Sequence, residues 1–196
     1  MQKRFFLPKL LVICGPTASG KSALAITLAQ KFDGEIVSAD SRQFYRGMEI
    51  GAGIVEGEWK NIDGKKVYVS EDIPHHLIAF RSPKKQLVVS EFQKLATRKI
   101  KEITLRGKLP ILVGGTGLYI RAIVDNFQIP KVEPNKKLRK ALEKKTSAQL
   151  FATLVKKDPI YAAKISKENR RYMIRALEVI TATGKPFSEL QQQVDP

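Results

Sequence analysis

Cysteine is nearly absent from this chain of 196 residues, in which Cys14 is the single example. One cysteine excludes a disulfide within the chain and the usual cysteine-rich zinc frameworks, and it fits a reducing compartment. Histidine is almost as scarce, because only His75 and His76 occur, directly after Pro74 and without metal-ligand spacing. We therefore expect one or both histidines to be structural rather than catalytic.

An export signal and a long apolar run are also missing. The first residues have the charged onset of a signal peptide, but Pro8 and Lys9 interrupt the apolar stretch and no small-residue cleavage site follows. We expect no export and no membrane span, and hence a cytoplasmic protein.

Acidic residues are few relative to basic ones. The chain has 19 Asp and Glu against 35 Lys and Arg, a net charge of +16. This excess is larger than solubility alone usually requires and favours a polyanionic partner, although a solvated basic surface is the alternative. The hydrophobic content of 43% is enough for one well-buried core and a small second lobe.

Strand and helix patterns alternate in the first two thirds of the chain. Short apolar runs at residues 10–14, 35–39 and 110–113 predict strands, and helical spacing predicts a helix from Ser82-Pro83 to Gly107. This alternation predicts an α/β fold, a P-loop NTPase-like parallel sheet flanked by helices.

A hairpin and a linker divide the chain further. Asp63-Gly64 predicts a β-hairpin as an insertion within residues 54–72. Pro130 and Pro134 indicate a linker, after which the sequence predicts basic helices and no further strand. We therefore expect a core domain at residues 1–129 and a helical insertion or second lobe at residues 130–196.

A phosphate-binding loop follows the first predicted strand. Gly15 and Gly20-Lys21-Ser22 occupy the fixed positions of the Walker A pattern. Glycines let backbone N–H groups converge on an anion, the helix N-terminus adds its dipole, and Lys21 adds a mobile charge. Ser22 can bind Mg²⁺ through its hydroxyl. The predicted phosphate- and nucleotide-binding residues are Gly15, Pro16, Thr17, Ala18, Ser19, Gly20, Lys21 and Ser22.

Two polar residues follow other predicted strands. Asp40 stands where open α/β sheets place ligand-binding groups and could take a proton from a nucleophile, or it could cap a turn with Ser41. Thr116 could donate to a phosphate oxygen or cap the next helix. The strand before Thr116 ends in Gly-Gly-Thr rather than in the acid of Walker B enzymes, which weighs against an NTPase motor.

A basic stripe characterises the C-terminal helices. Arg171 and Arg175 lie one helical turn apart beside Arg170. These arginines could follow a nucleic-acid backbone or form a solvated charged face, together with Lys136, Lys137, Arg139, Lys140, Lys144 and Lys145.

Five segments together resemble the tRNA dimethylallyltransferase family (IPP transferases). In order they are GPTASGKS, SADSRQFYRGMEIGA, PHHL, LVGGTGLYI and RALEVITATGKPFSEL. The resemblance implies transfer of a dimethylallyl group from dimethylallyl diphosphate to N6 of the adenine 3′-adjacent to the anticodon of tRNA, with release of pyrophosphate. It also implies Mg²⁺ as cofactor, and we expect a monomer.

The resemblance implies roles for individual residues. Asp40 would be the general base and Thr116 would lie near the reacting groups, while Ser22 would bind the Mg²⁺. Dimethylallyl diphosphate would contact Thr17, Ala18, Ser19, Gly20, Lys21 and Ser22. Contacts to tRNA are implied for Asp40, Ser41, Arg42, Gln43, Lys137, Arg171, Tyr172, Met173, Ile174 and Arg175.

The resemblance also implies that the last third of a typical member, with an arginine for the diphosphate, is absent after Pro196. Two other functions therefore stay open. One is a catalytically weak or inactive tRNA-binding fragment, which predicts salt-sensitive tRNA binding without product. The other is a small P-loop nucleoside or metabolite kinase, which predicts ATP consumption without tRNA.

Overall fold

The computed structural model describes residues 9–62, 64–126, 130 and 132–190. The N-terminal segment considered above for export and Asp63 of the predicted turn lie outside these residues. Contacts divide the chain into two compact units, Met1–Asp125 and Asn126–Pro196. Each unit has a hydrophobic core of its own.

The first unit is built on a six-stranded sheet in the order β1-β6-β2-β5-β4-β3. Neighbours among β1, β6, β2 and β5 run parallel, whereas β4 and β3 continue the sheet antiparallel. The parallel part confirms the predicted α/β fold. The strands are β1 (Leu11–Cys14), β2 (Gly34–Ser38), β3 (Glu58–Ile62), β4 (Lys65–Ser70), β5 (Ile73–His76) and β6 (Leu109–Gly114).

Successive residues of a strand point to opposite sides of the sheet, so the apolar strands of the parallel part present apolar side chains on both faces. Helices cover both of these faces. On one face Ile36 and Ile111 pack with Ala25 and Ala29 of α1 (Lys21–Phe32). On the other face Val37 and Leu112 pack with α2 (Val89–Leu105) and α3 (Gly117–Val124). Three stacked rings fill this second core, with Phe92 and Tyr119 4.5 Å apart and Phe44 5.5 Å from Phe92.

The hairpin is confirmed, as β3 and β4, but it belongs to the main sheet. Tyr68 of β4 pairs with His75 of β5, so the hairpin extends the sheet at its edge. Strand β5 is absent from the sequence prediction, because it has only four residues and its sequence, Ile-Pro-His-His, has no apolar run.

The predicted start of the second helix at Ser82-Pro83 is wrong. Helix α2 begins at Val89, after Val88 in an extended conformation. The preceding residues form hydrogen bonds other than those of a helix. The Leu87 N–H donates to the Tyr45 hydroxyl at 3.0 Å, and the Arg81 side chain donates to the Lys85 carbonyl at 3.0 Å. Leu87 is also buried. These contacts stabilise a non-helical segment.

Among the described residues of the second unit, all regular secondary structure is helical, as predicted. A capping box between Thr146 and Gln149 starts α5, and Asp158 caps α6 through the Tyr161 N–H. Its core includes the fully buried Leu150, Leu154 and Met173. The helices are α4 (Lys136–Glu143), α5 (Ser147–Lys157), α6 (Pro159–Ala162), α7 (Arg170–Thr183) and α8 (Phe187–Leu190).

Candidate active site

The P-loop connects the end of β1 to the start of α1. Gly20 has a φ of 77° directly before Lys21, a left-handed conformation that glycine adopts without strain. The Lys21 ammonium group donates to the Pro16 carbonyl and, at 3.3 Å, to the Ser19 hydroxyl. Its positive charge is thereby held over the loop at the N-terminus of a 12-residue helix, an arrangement that attracts anions.

Asp40 follows β2 in a tight turn. Its Oδ1 accepts a hydrogen bond of 2.9 Å from the Arg42 N–H, so the predicted turn-capping role is present. The Asp40 N–H donates to the Ser38 hydroxyl at 3.3 Å, and that hydroxyl donates to the Gln43 amide oxygen at 2.7 Å. The turn therefore orients Asp40, while Oδ2 accepts no hydrogen bond within the described residues.

Thr116 joins the loop after β6 to the loop after β2. It occupies the N-cap position of α3, yet its side chain makes no capping hydrogen bond, so that alternative is wrong. Instead the Thr116 hydroxyl accepts from the Ser41 N–H at 3.1 Å and lies 3.3 Å from the Ser41 hydroxyl, to which it donates. Thr116 thereby holds the turn that carries Asp40.

The last residue of β6 must be glycine because it touches the chain just before Asp40. A Cβ atom on Gly114 would collide with the backbone of Ala39, whose N–H donates to the Val113 carbonyl at 2.7 Å. The close approach of the two strand ends thus depends on the missing side chain.

We expect Gly114→Ala to destabilise the first unit by about 2 kcal/mol, within the usual cost of overpacking. Urea denaturation followed by fluorescence of Trp59, the single tryptophan, measures this loss. Gly117→Ala is the matched control, because a Cβ there meets no atom within 4 Å and alanine favours α3. Equal stability of the two variants would contradict the close-approach argument.

A cavity of about 300 Å³ lies between these segments. It brings the P-loop residues Thr17 to Ser22 together with Asp40 and Gln43. Gly15, Pro16, Ser41, Arg42 and Thr116 do not line it. The rest of the wall includes the apolar side chains of Ala25, Ile36, Val55, Ile78 and Val113. The cavity therefore has a polar end, formed by the P-loop and Asp40, and an apolar wall.

His75 also lines this cavity, which the sequence prediction missed. Its neighbour His76 is structural, as expected, because it bonds at 2.6 Å to Glu35, which Arg106 also contacts at 2.7 Å. His75 is 5% exposed and its Nε2 has no hydrogen-bond partner within the described residues. Burial, together with His76, lowers the pKa of His75 to about 4. His75 is therefore neutral at pH 7.

In the second unit, the residues predicted to contact tRNA differ in exposure. Arg171 and Tyr172 are exposed on α7, and so is Lys137 on α4. Ile174 is half-buried against the core. For Met173 the predicted contact is wrong, because its side chain is fully buried among the helices.

Arg175 and Arg139 belong to an internal ion cluster rather than to a free basic stripe. They bind the buried Glu178 at 2.6 and 2.8 Å, and the Asn135 N–H donates to the same carboxylate at 2.6 Å. Burial raises the pKa of Glu178, but these hydrogen bonds more than offset it and lower the pKa to about 2. Arg170 likewise donates to the Lys145 carbonyl at 2.7 Å. The exposed basic residues of the stripe are Lys136, Lys137, Lys140, Lys144, Lys145 and Arg171.

Within the described ranges, no three His, Cys, Asp or Glu side chains form a metal-binding cluster. No helix in the same ranges is long and apolar enough to cross a membrane.

A parallel sheet with a Walker A loop after β1 and a carboxylate after β2 defines a P-loop protein of the α/β class. The model of the IPP transferase family matches residues 43–196. The chain belongs to the IPP transferase family.

Relatives and solved structures agree with this family. The chain is 48% identical over 191 residues to the tRNA dimethylallyltransferase of Roseiflexus sp. (strain RS-1), covering 95% of this chain and 59% of the relative. It is 45% identical over 188 residues to that of Geobacillus kaustophilus (strain HTA426), covering 94% and 56%. The chain thus spans less than two thirds of the length of these curated relatives.

Two solved structures are similar to the chain. A eukaryotic dimethylallyltransferase acting on tRNA has a TM-score of 0.70 and 33% identity, covering 95% of this chain and 46% of that one. The full-length tRNA isopentenylpyrophosphate transferase of Bacillus halodurans has a TM-score of 0.56 and 40% identity, covering 92% and 58%.

Proposed function

We propose that this chain transfers a dimethylallyl group from dimethylallyl diphosphate to N6 of the adenine 3′-adjacent to the anticodon of tRNA. The observation that carries the proposal is the cavity that joins the P-loop to Asp40 and has an apolar wall. A diphosphate with a short hydrocarbon chain matches both ends of this cavity. The names of the relatives support the same reaction.

The diphosphate occupies the P-loop. Its oxygens accept hydrogen bonds from loop N–H groups, and Lys21 supplies the opposing charge. Mg²⁺ fits this end of the cavity, because Ser22 offers a hydroxyl oxygen and the ligand its own oxygens. When bound, the ion neutralises part of the charge on the departing pyrophosphate.

Asp40 takes the proton. The adenine N6 forms a bond to C1 of the dimethylallyl group while the bond from C1 to the diphosphate oxygen breaks, and its electron pair leaves with pyrophosphate. The excess proton on N6 moves to Asp40, whose Oδ1 is held by the Arg42 N–H. Thr116 contributes to this step indirectly. Its hydroxyl accepts from the Ser41 N–H and so holds the turn after β2 that positions Asp40.

The positive charge recruits tRNA. A net charge of +16 attracts the phosphate backbone, and the adenine must leave its stack to reach a cavity of this kind. Residues 40–43 would meet the base, and the exposed Lys137, Arg171 and Tyr172 would contact the backbone. We also propose that the chain acts as a monomer in the cytoplasm.

The test is incorporation of a labelled dimethylallyl group into unmodified tRNA, with Mg²⁺ and this chain as sole protein. Incorporation at the adenine next to the anticodon is the expected result. tRNA binding without incorporation would favour the binding fragment, and ATP consumption without tRNA would favour the kinase.

We expect Lys21→Ala to weaken binding of Mg-pyrophosphate at least about tenfold, because a charge-assisted contact contributes more than about 1.4 kcal/mol. Isothermal titration calorimetry measures the affinity. The control is Lys31→Ala, which removes an exposed lysine from the last turn of the same helix. Unchanged affinity in Lys21→Ala would contradict the phosphate assignment.

A further inference from the structure

The segment that follows Asp40 carries an apolar tip, formed by Met48 and Ile50. Ile50 begins a single turn of 3-10 helix, Ile50–Ala52, and its side chain is fully exposed. It is the most exposed of the large hydrophobic residues that the structure describes, and Met48 is exposed as well. Neither side chain belongs to a hydrophobic core of the described residues. The tip therefore does not contribute to packing within the described part of the chain.

The backbone that carries the tip is anchored at both ends. Near its start, the Arg46 N–H donates to the Arg81 carbonyl at 2.9 Å. At its end, the Gln43 amide donates to the Gly53 carbonyl at 3.2 Å. Single exposed apolar residues are common on protein surfaces, so the position of the tip matters more than its exposure.

The tip lies at the rim of the cavity that contains Asp40. Ala52 and Gly53 line that cavity together with Asp40 and Gln43. Ile50 does not line it, but it precedes Ala52 by only two residues, a path of at most about 7 Å. Neighbouring bases of a stacked strand are about 3.4 Å apart. The neighbours of a base that enters the cavity therefore come within reach of the tip.

The charge around the tip suits a nucleic acid. Arg42 and Arg46 are exposed on the same segment, residues 41–53. Arg46 donates through Nε to the Ala79 carbonyl at 3.2 Å, which positions the side chain without neutralising its charge. The one acid of the segment, Glu49, is only partly exposed and accepts from the Gly47 N–H at 3.0 Å. Cations around an apolar tip match a strand of bases and phosphates.

The proposed reaction creates a need for such a contact. An adenine that reaches Asp40 must leave its stack, and its neighbours then lose the stacking surface that it provided. Proteins that open base steps insert apolar side chains such as Ile, Leu or Met between the bases. Isoleucine suits this use because its β-branched side chain is stiff and loses little conformational freedom on contact.

We propose that Ile50, with Met48 beside it, is an apolar wedge that packs against the bases next to the target adenine. The wedge holds the gap in the stack open while the adenine occupies the cavity. This inference rests on the proposed function. It assigns to the tip a part of RNA recognition that neither the P-loop nor Asp40 performs.

The test uses an anticodon stem-loop in which 2-aminopurine replaces the target adenine. This analogue lacks the 6-amino group, so it binds without reacting, and its fluorescence rises when it leaves the stack. With protein in saturating excess, Ile50→Ala should give less than about half of the wild-type rise, because the gap closes again. Ile50→Leu keeps the apolar bulk and should restore most of the rise. Leu105→Ala is the matched control, since Leu105 is an exposed residue of the same unit that lines neither cavity.

The outcomes separate the wedge from the reaction it serves. An equal rise with the wild-type chain and Ile50→Ala overturns the wedge alone, whereas no rise with the wild-type chain overturns extraction of the adenine and with it the proposed function. Ile50→Ala should leave the urea midpoint and the affinity for Mg-pyrophosphate unchanged, because the side chain is exposed and lies outside the cavity. A loss of either would mean that Ile50 packs within the protein, which also overturns the wedge.

Discussion

Asp40→Asn is expected to lower the rate of dimethylallyl transfer by about 10²–10⁴-fold, the contribution usual for a general base. An asparagine keeps the side-chain oxygen that accepts from the Arg42 N–H, so the turn after β2 should persist. What the substitution removes is the basic carboxylate. Binding of tRNA should therefore remain nearly unchanged while single-turnover transfer of the labelled group slows.

The matched control for this experiment is Asp72→Asn. Asp72 is an exposed acid of the same unit, with a 3.5 Å ion pair to Lys60 and no part in the cavity wall. Its variant should retain the wild-type rate. A normal rate in Asp40→Asn would exclude Asp40 as the base, and equal loss in both variants would indicate a general effect of removing acidic charge.

Glu178→Gln is expected to destabilise the second unit by about 3 to 4 kcal/mol, the cost of removing one partner from a buried ion pair. The side chain is 1% exposed and joins Arg139, Arg175 and the Asn135 N–H. A neutral amide has nearly the same size but cannot offset the charges of two arginines. The loss of far-ultraviolet circular dichroism in urea measures the stability of these helices.

The same cluster predicts a pH dependence. Because the pKa of Glu178 is lowered to about 2 in the folded state from an ordinary value of 4.5, its stabilisation is complete above pH 4.5 and is lost as the pH falls toward 2. Glu178→Gln should remove this component of acid unfolding. Glu168→Gln is the control, since Glu168 is exposed and forms no ion pair with the described residues. Acid unfolding that is the same in both variants would contradict this assignment.

The local motifs of this chain were predictable from its sequence. The Walker A pattern lies between a strand and a helix because each is encoded within a few consecutive residues, and the hairpin follows from Asp63-Gly64 for the same reason. Met173 has helical spacing with Leu177 and Ile180, which places it on an inward face, and its side chain is fully buried. For Met173, the implied tRNA contact was at odds with that spacing.

Features that depend on distant residues were not predictable. Strand β5 exists because β2 and β4 pair with it on both sides, and its sequence contains no apolar run that would predict a strand. His75 acquires its place in the cavity only through that pairing. Glu178 could be matched with Arg175 from their spacing of three, but Arg139 is 39 residues away and only tertiary packing brings it there.

The place of β1 in the sheet has a consequence for synthesis of the protein on the ribosome. Within the described residues β1 has a single strand neighbour, β6 (Leu109–Gly114), although the P-loop is among the first segments to be made. Until Gly114 has left the exit tunnel, a nascent chain can form the β3–β4 hairpin but cannot anchor the strand that carries the loop. Phosphate binding should therefore appear abruptly in a series of ribosome-stalled chains of increasing length.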